Sequence, residues 1–349
     1  VRDHAILVIA RQIPYAPAMN TYVFRTVAGL ILAALVAAVG TPGVAQTHTL
    51  KLGTQESGTA QWEVETIKRL GLDARHDLKL ELRPLADSRA GQIALQTNTV
   101  DVILSDFVWV SIQRNQGNMI TMVPHSLAVG GLMTAPGSGI DSVDDLAGRT
   151  IAIAGGPVDK SWVALQAYYA SETGGKLVDE VEARYGAPPF VNELLANGGA
   201  DAALNFWHWN ARAKAAGNIE VISVRDMFEA LGIPDQPPLL GWAFTDATAA
   251  AKPDALRAYL DASFDAKQVL LNDDDAWEPL KELMRAADDP ALFERLRDDY
   301  RAGIVSGYDP DRMDAAAASF ALMAAYGGAE LVGDVPTLAE GTFWNGYRR

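Results

Sequence analysis

"SVDDLAGRTIAIAGGPVDKSWVALQAYYA", Ser142–Ala170, holds the pattern on which the fold turns. Ser142 and Asp145 stand in capping-box spacing, so a short helix opens there, and Gly148 stops it. The apolar run Thr150–Ala154 then reads as a buried strand. Gly155 and Gly156 turn the chain, Pro157 fixes its entry angle, and an apolar helical pattern follows. Strand, glycine turn and helix in succession form the repeating unit of a parallel sheet covered by helices.

Outward from this stretch the alternation continues in both directions. "THTLKLGT" (47–54) predicts a strand ending at Gly53, and Trp62, Ile67 and Leu70 mark a helix up to Gly71. "LKLELRPL" (78–85) alternates with period two, as a half-buried strand does. "DSRAGQIALQTNT" (87–99) places Ser88 as N-cap, with Ala90, Ile93, Ala94 and Thr97 on one helical face. "VDVILSD" (100–106) is a buried strand entering a polar loop, "FVNELLANGG" (190–199) a helix, and "ADAALNF" (200–206) the strand after it. From Pro253 the strand patterns fade, and helices are predicted near 253–271, 276–286, 290–302 and 310–326. Asp273–Asp275 and Asp288–Asp289 sit at helix starts, where carboxylates favour the dipole, and lack the spacing of a calcium loop. Two extended, glycine-bearing stretches, "HSLAVGGLMTAPGSG" (125–139) and "PPLLGWAFTDA" (237–247), flank the middle block. A chain that leaves one α/β domain, builds a second and returns gives this layout: domain I from 46–132 and 243–349, domain II from 133–242. A ligand would sit between them, outside the carboxyl ends of the strands.

The chain of 349 residues is 49% hydrophobic and carries a net charge of −15. Phosphate binding needs clustered Lys and Arg, so a nucleic-acid partner is excluded. There is no cysteine, which rules out disulfides, thiolate catalysis and Cys-ligated zinc. From Met19 the sequence reads as an export signal. Arg25 supplies the positive region, Val27–Val39 the apolar region, and Gly43 and Ala45 the small residues before cleavage after Ala45. Residues 1–18 then form an upstream extension. The apolar run falls short of the roughly 18–20 residues that span a bilayer. With no cysteine after the signal, a lipid anchor is excluded too, leaving an exported, soluble, acidic protein.

Four turns carry the polar groups expected at such a cleft. In "GTQESGTAQW" (53–62) a helix N-terminus follows a strand and favours anions or polar oxygens. Glu56 there is either a ligand contact or a solvated acid. Asp106, at the end of a buried strand, either holds a ligand ammonium or caps the next helix. In "GGPVDKSW" (155–162) Asp159 or Ser161 caps the helix and Lys160 stands at the mouth. The spacing is not that of a P-loop. In "ALNFWHWNAR" (203–212) Trp207 and His208 emerge at a strand end, where large rings wall a small guest. One of Trp207 and Trp209 is expected to pack between helices instead. His125 stands near the first crossing, in the hinge or the cleft. No H-E-x-x-H, no G-x-S-x-G and no metal cluster occur, so neither enzyme chemistry, a metal site nor a cofactor is called for.

Together the export signal, "LKLGTQESGT", "DVILSD", "SVDDLAGRTIAIAGG" and "GADAALNFWHW" resemble the solute-binding proteins of ABC importers, in the nitrate/sulfonate/taurine class. The resemblance implies the type II periplasmic-binding-protein fold: two α/β domains, a ligand cleft between them and a helical C-terminal part. It implies capture of a small solute by closure and delivery, as a monomer in the periplasm, to permease subunits of the inner membrane. By position it implies ligand contacts from Glu56, Ser57, Gly58, Thr59, Ser105, Asp106, Gly156, Lys160, Ser161, Trp207 and His208. Glu56, Asp106 and Asp159 would repel a bare anion. A taurine-like zwitterion or an amine therefore fits better than nitrate. The same fold also resembles the thiamine-pyrimidine-synthesising enzymes, and a partner that presents its ligand to a sensor is a further alternative.

Overall fold

The computed structural model describes residues 47–55 and 58–349. The expected export signal and its cleavage after Ala45 lie outside the described residues, as do Glu56 and Ser57. In chain order come β1 (His48–Gln55), α1 (Ala60–Leu70), β2 (Leu78–Leu85), α2 (Ser88–Gln96), β3 (Val102–Asp106), α3 (Phe107–Asn115) and β4 (Ile120–Ser126). The chain then builds β5 (Gly131–Thr134), β6 (Thr150–Ala154), α4 (Lys160–Thr173), β7 (Glu182–Gly186), α5 (Pro188–Ala196), β8 (Ala202–Asn205), α6 (Trp207–Ala215), β9 (Ile219–Ser223) and α7 (Val224–Ala230). It closes with β10 (Leu240–Thr245), α8 (Asp246–Ala251), α9 (Pro253–Asn272), α10 (Pro290–Ala302) and α11 (Asp314–Val332).

The strands form two five-stranded sheets of one repeated order, β2-β1-β3-β10-β4 and β7-β6-β8-β5-β9. β1 pairs parallel with β2 and β3, and β6 with β7 and β8. β10 runs antiparallel between β3 and β4, and β5 antiparallel between β8 and β9. The central strands are apolar on both faces, as a sheet covered twice requires: Ile151, Ile153, Ala202 and Ala203 are fully buried. β2 sits at an edge, where the missing N–H of Pro84 costs no ladder bond.

Residues 127–130 and 231–239 cross between the sheets. The expected domain joins at 132/133 and 242/243 fall inside β5 and β10, because pairing has begun by Gly131, opposite Asn205 and Ser223. The first crossing is tight. A Cβ on Gly130 would lie 1.7 Å from the Asn205 carbonyl oxygen, and one on Gly303 would lie 2.6 Å from the Ala128 nitrogen. The Gly303 carbonyl in turn accepts a 2.7 Å hydrogen bond from Leu127 N–H, so the end of α10 is laced to the crossing. Gly130→Ala is therefore expected to lose about 1–3 kcal/mol by overpacking. A urea titration checks this, and an unchanged midpoint would show that the crossing moves aside freely.

In the last third, Pro253 and Pro290 open α9 and α10 as first-turn residues, and Asp289 caps α10 through Leu292 N–H. The helix expected over 276–286 is only a 3₁₀ turn, Asp275–Leu280, because Pro279 falls inside it and cannot donate. The helix expected over 310–326 begins four residues later, at Asp314, and kinks at Gly328. α11 is long and apolar enough to cross a membrane by length and composition, with mean hydropathy 1.4. Of that apolar window 33% is buried, where α11 packs on α3, which follows the first sheet's β3, and on α4, which follows the second sheet's β6.

Candidate ligand cleft

Parallel strands end where helix N-termini begin, so four turns, β1–α1, β3–α3, β6–α4 and β8–α6, present backbone N–H groups and short polar side chains. At the first, Gly58 and Thr59 lead into α1, and Thr59 at the N-cap position makes no side-chain capping bond. Gln61 donates to the Gln55 carbonyl at 2.6 Å, and Gln55 donates to Ser88 Oγ at 2.7 Å. These bonds edge a recess of about 30 Å³ floored by Ile103, Leu104 and Trp242. The sequence placed Ser88 as the cap of α2. Asp87 fills that role, accepting from Ala90 N–H at 2.7 Å, which frees Ser88 for Gln55.

Asp106 both caps and pairs. Its Oδ1 accepts from Trp109 N–H at 2.9 Å, and its Oδ2 lies 3.2 Å from Lys160 Nζ. Asp106 ends β3 of the first sheet, and Lys160 opens the helix after β6 of the second. The ion pair therefore spans the two halves. Ser105, next to Asp106, is buried. On the other side Gly155 takes φ +92°, and Gly156 has open space where a side chain would stand. Asp159 caps α4 by accepting from the N–H groups of Ser161 (2.9 Å) and Trp162 (3.2 Å). Burial raises the Asp159 carboxyl above its usual range, against the opposing pull of Lys160. So two of the three acids that argued for a cationic guest already have partners within the chain.

At the β8–α6 turn, Trp207 is the tryptophan that packs between helices. Asn205 is buried and ties the strand end to Pro188 and Asn192 at 2.8 Å each. Trp207 is only half-buried, but its ring meets Trp62 edge-on at 5.7 Å and Tyr300 at 6.0 Å. Trp62 and Tyr300 also pack on Trp277. Trp207 thus joins α6 to α1 and α10 in an aromatic cluster. His208 has a buried Nδ1 with no partner among the described residues, and burial together with Arg212 pushes its pKa down to about 4.

Sequence reasoning missed a second polar group. Glu63, His125, Ser263 and Lys267 are all buried. Lys267 Nζ donates to Glu63 Oε2 at 2.7 Å and to Ser263 Oγ at 2.8 Å, and lies 3.4 Å from His125 Nδ1. Ser263 donates to Glu63 Oε1 and accepts from Trp242 Nε1. Glu63 interrupts the apolar face of α1 and Lys267 that of α9. Each alone reads as a helix-surface charge; only the α1–α9 packing reveals a pair. His125, expected in the hinge or the cleft, lies in this group near the end of β4, two residues before the crossing begins.

A family model described as NMT1/THI5 like matches residues 68–276, more than half of the chain. No curated protein sequence matches it. Among solved structures, the alkanesulfonate-binding protein SsuA from Xanthomonas axonopodis pv. citri, bound to MOPS, superposes with TM-score 0.64 at 17% identity, covering 86% of this chain and 99% of that one. The periplasmic aliphatic sulphonate binding protein SsuA from Escherichia coli gives 0.67 at 15% identity, covering 85% and 97%. The desulfurization enzyme DSZB gives 0.56 at 15% identity, covering 84% and 97%. With two sheets of one repeated strand order joined by two crossings, this chain has the type II periplasmic-binding-protein fold and belongs to the NMT1/THI5-like family.

Proposed function

We propose that this chain is an exported, periplasmic solute-binding protein that captures a small polar guest between its halves and delivers it to the permease of an ABC importer. The Asp106–Lys160 pair, 3.2 Å apart across the halves, carries the reading. A guest that closes the cleft must offer something to each half, and here Asp106 on one half faces Lys160 on the other. A taurine-like zwitterion complements both, with its ammonium on Asp106 and its sulfonate on Lys160. A bare anion would meet Asp106, and a plain amine would meet Lys160. The type II fold, shared with proteins that bind sulfonates, supports the same class of guest. Glu63, His125 and Lys267, the groups best suited to proton transfer, are sealed beneath the surface. This favours binding over catalysis.

Thermal unfolding with taurine, ethanesulfonate, ethylammonium and nitrate tests the proposal. A native-only binder at about 100 times its dissociation constant adds roughly 2.7 kcal/mol. Taurine is expected to raise the midpoint most. Asp106→Asn keeps a capping side chain, and Lys160→Gln keeps the helix. Each is expected to weaken taurine by about 1–3 kcal/mol, roughly 5- to 150-fold. A shift with ethanesulfonate or nitrate but not taurine would remove the zwitterion, and conversion of a guest to product would favour the enzyme reading.

A further inference from the structure

The small recess at the end of β1 stands beside Asp106. Gly53 pairs with Ile103, so Gln55 on the rim is level with Ser105, one residue before Asp106. Neighbouring strands lie about 5 Å apart, which makes the rim and the carboxylate neighbours. The recess, of about 30 Å³, holds about two water-sized groups. That is room for a methyl or an ethyl group and too little for a ring.

Its walls suit hydrocarbon. Leu85, Ile103, Leu104 and Trp242 line it, while Gln61, Gln55 and Ser88 on the rim are engaged with one another. The floor is fixed: Trp242 Nε1 donates to Ser263 Oγ at 3.1 Å, and its ring lies 4.7 Å from His125 and 5.4 Å from Tyr259. Gly91 of α2 completes the wall. It sits inside a helix, where glycine costs stability relative to alanine, and no positive φ demands it. A Cβ there would make ordinary contacts, 3.6 Å from Leu85 and 3.8 Å from Ile103. What the glycine keeps is open space.

We propose that the guest carries a methyl or ethyl group on the ammonium held by Asp106, and that this recess receives it, with Gly91 and Trp242 setting the size limit. The inference rests on the zwitterion reading above and narrows it to N-alkylated members of the class. An ammonium with one alkyl group keeps its charge and two N–H donors for Asp106. Nothing in the ionic contact is given up. Each carbon buried in the recess adds about fourfold in affinity until the space is full.

Calorimetric titration with taurine, N-methyltaurine, N-ethyltaurine and N-cyclohexyltaurine tests the recess. N-methyltaurine is expected to bind about fourfold more tightly than taurine, N-ethyltaurine at least as tightly, and N-cyclohexyltaurine more weakly than both. In Gly91→Ala the new Cβ takes the methyl's place, so the ratio of N-methyltaurine to taurine affinity should fall to about one. A urea midpoint at or above the parent's shows that this variant is folded. Leu85→Ala widens the recess and should move the optimum to N-propyltaurine. Taurine binding without a gain from the methyl group, or a gain that survives in Gly91→Ala, would overturn the recess assignment and leave the zwitterion reading standing. Binding of nitrate or ethanesulfonate but of none of the taurines would overturn both.

Discussion

Lys267→Met is expected to lose about 3–5 kcal/mol of folding stability, the usual cost of breaking a buried ion pair by removing one partner. Glu63 is fully buried, and Lys267 is its cation at 2.7 Å. Without that ammonium, Glu63 keeps one donor, Ser263, and must either hold an uncompensated charge or take up a proton. Glu63→Leu is expected to cost a similar amount for the mirror reason. The double variant Glu63→Leu/Lys267→Met should recover most of the loss, because an apolar pair of similar volume is often neutral in place of a buried bridge. Urea titrations of the two single variants and the double one give the coupling directly. Additive losses would mean that the two side chains do not depend on each other, and that water reaches the site.

Acid should unfold this protein earlier than its carboxylates alone would suggest. His125 and His208 are both held below the usual histidine range, His208 at about 4 by burial and then Arg212, and His125 well below by burial and then Lys267. The unfolded chain therefore binds protons that the folded chain refuses. A lowered folded pKa means that the stability is fully present above about pH 6.5 and is lost as the pH falls below it. For His208 the loss between about pH 6.5 and 4 is on the order of 3 kcal/mol, and His125 adds to it over the same window and beyond. Asp159 and Asp299, whose carboxyls burial raises, titrate in the opposite sense and return part of the loss near the bottom of the window. His125→Gln should flatten the fall of stability from pH 6.5 to 5 by about half, read as urea midpoints. An unaltered slope would mean that a protonated His125 is tolerated beside Lys267.

Much of the fold was legible because it rests on local rules. The capping box at Ser142 and Asp145 is present in the structure, and the glycine turn after Thr150–Ala154 follows from residues within one turn of each other. α10 spans Pro290–Ala302, as its proline and acidic cap predict. What stayed hidden depends on residues far apart in sequence. Asp106 had two local readings, ligand contact or cap. Its Lys160 partner stands 54 positions later and becomes a neighbour only when two sheets meet. Trp207 likewise had two readings, a wall for the guest or packing between helices, because its partners Trp62 and Tyr300 come from α1 and α10. Periodicity assigns a side chain to a face but is silent on what that face meets.

The place of β10 also sets a timetable for synthesis. It lies between β3 and β4, yet it is made more than a hundred residues after them, so the first sheet waits with a gap beside its edge strand β4. The second sheet has no such wait, since all its strands fall between Gly131 and Ser223. A chain growing from its N-terminus would thus complete its middle before its beginning. In that interval β3 and β4 present open backbone edges, the kind that pair with a neighbouring chain. In the exported protein proposed above, a late interior strand would delay premature folding at the cost of a longer exposure to aggregation.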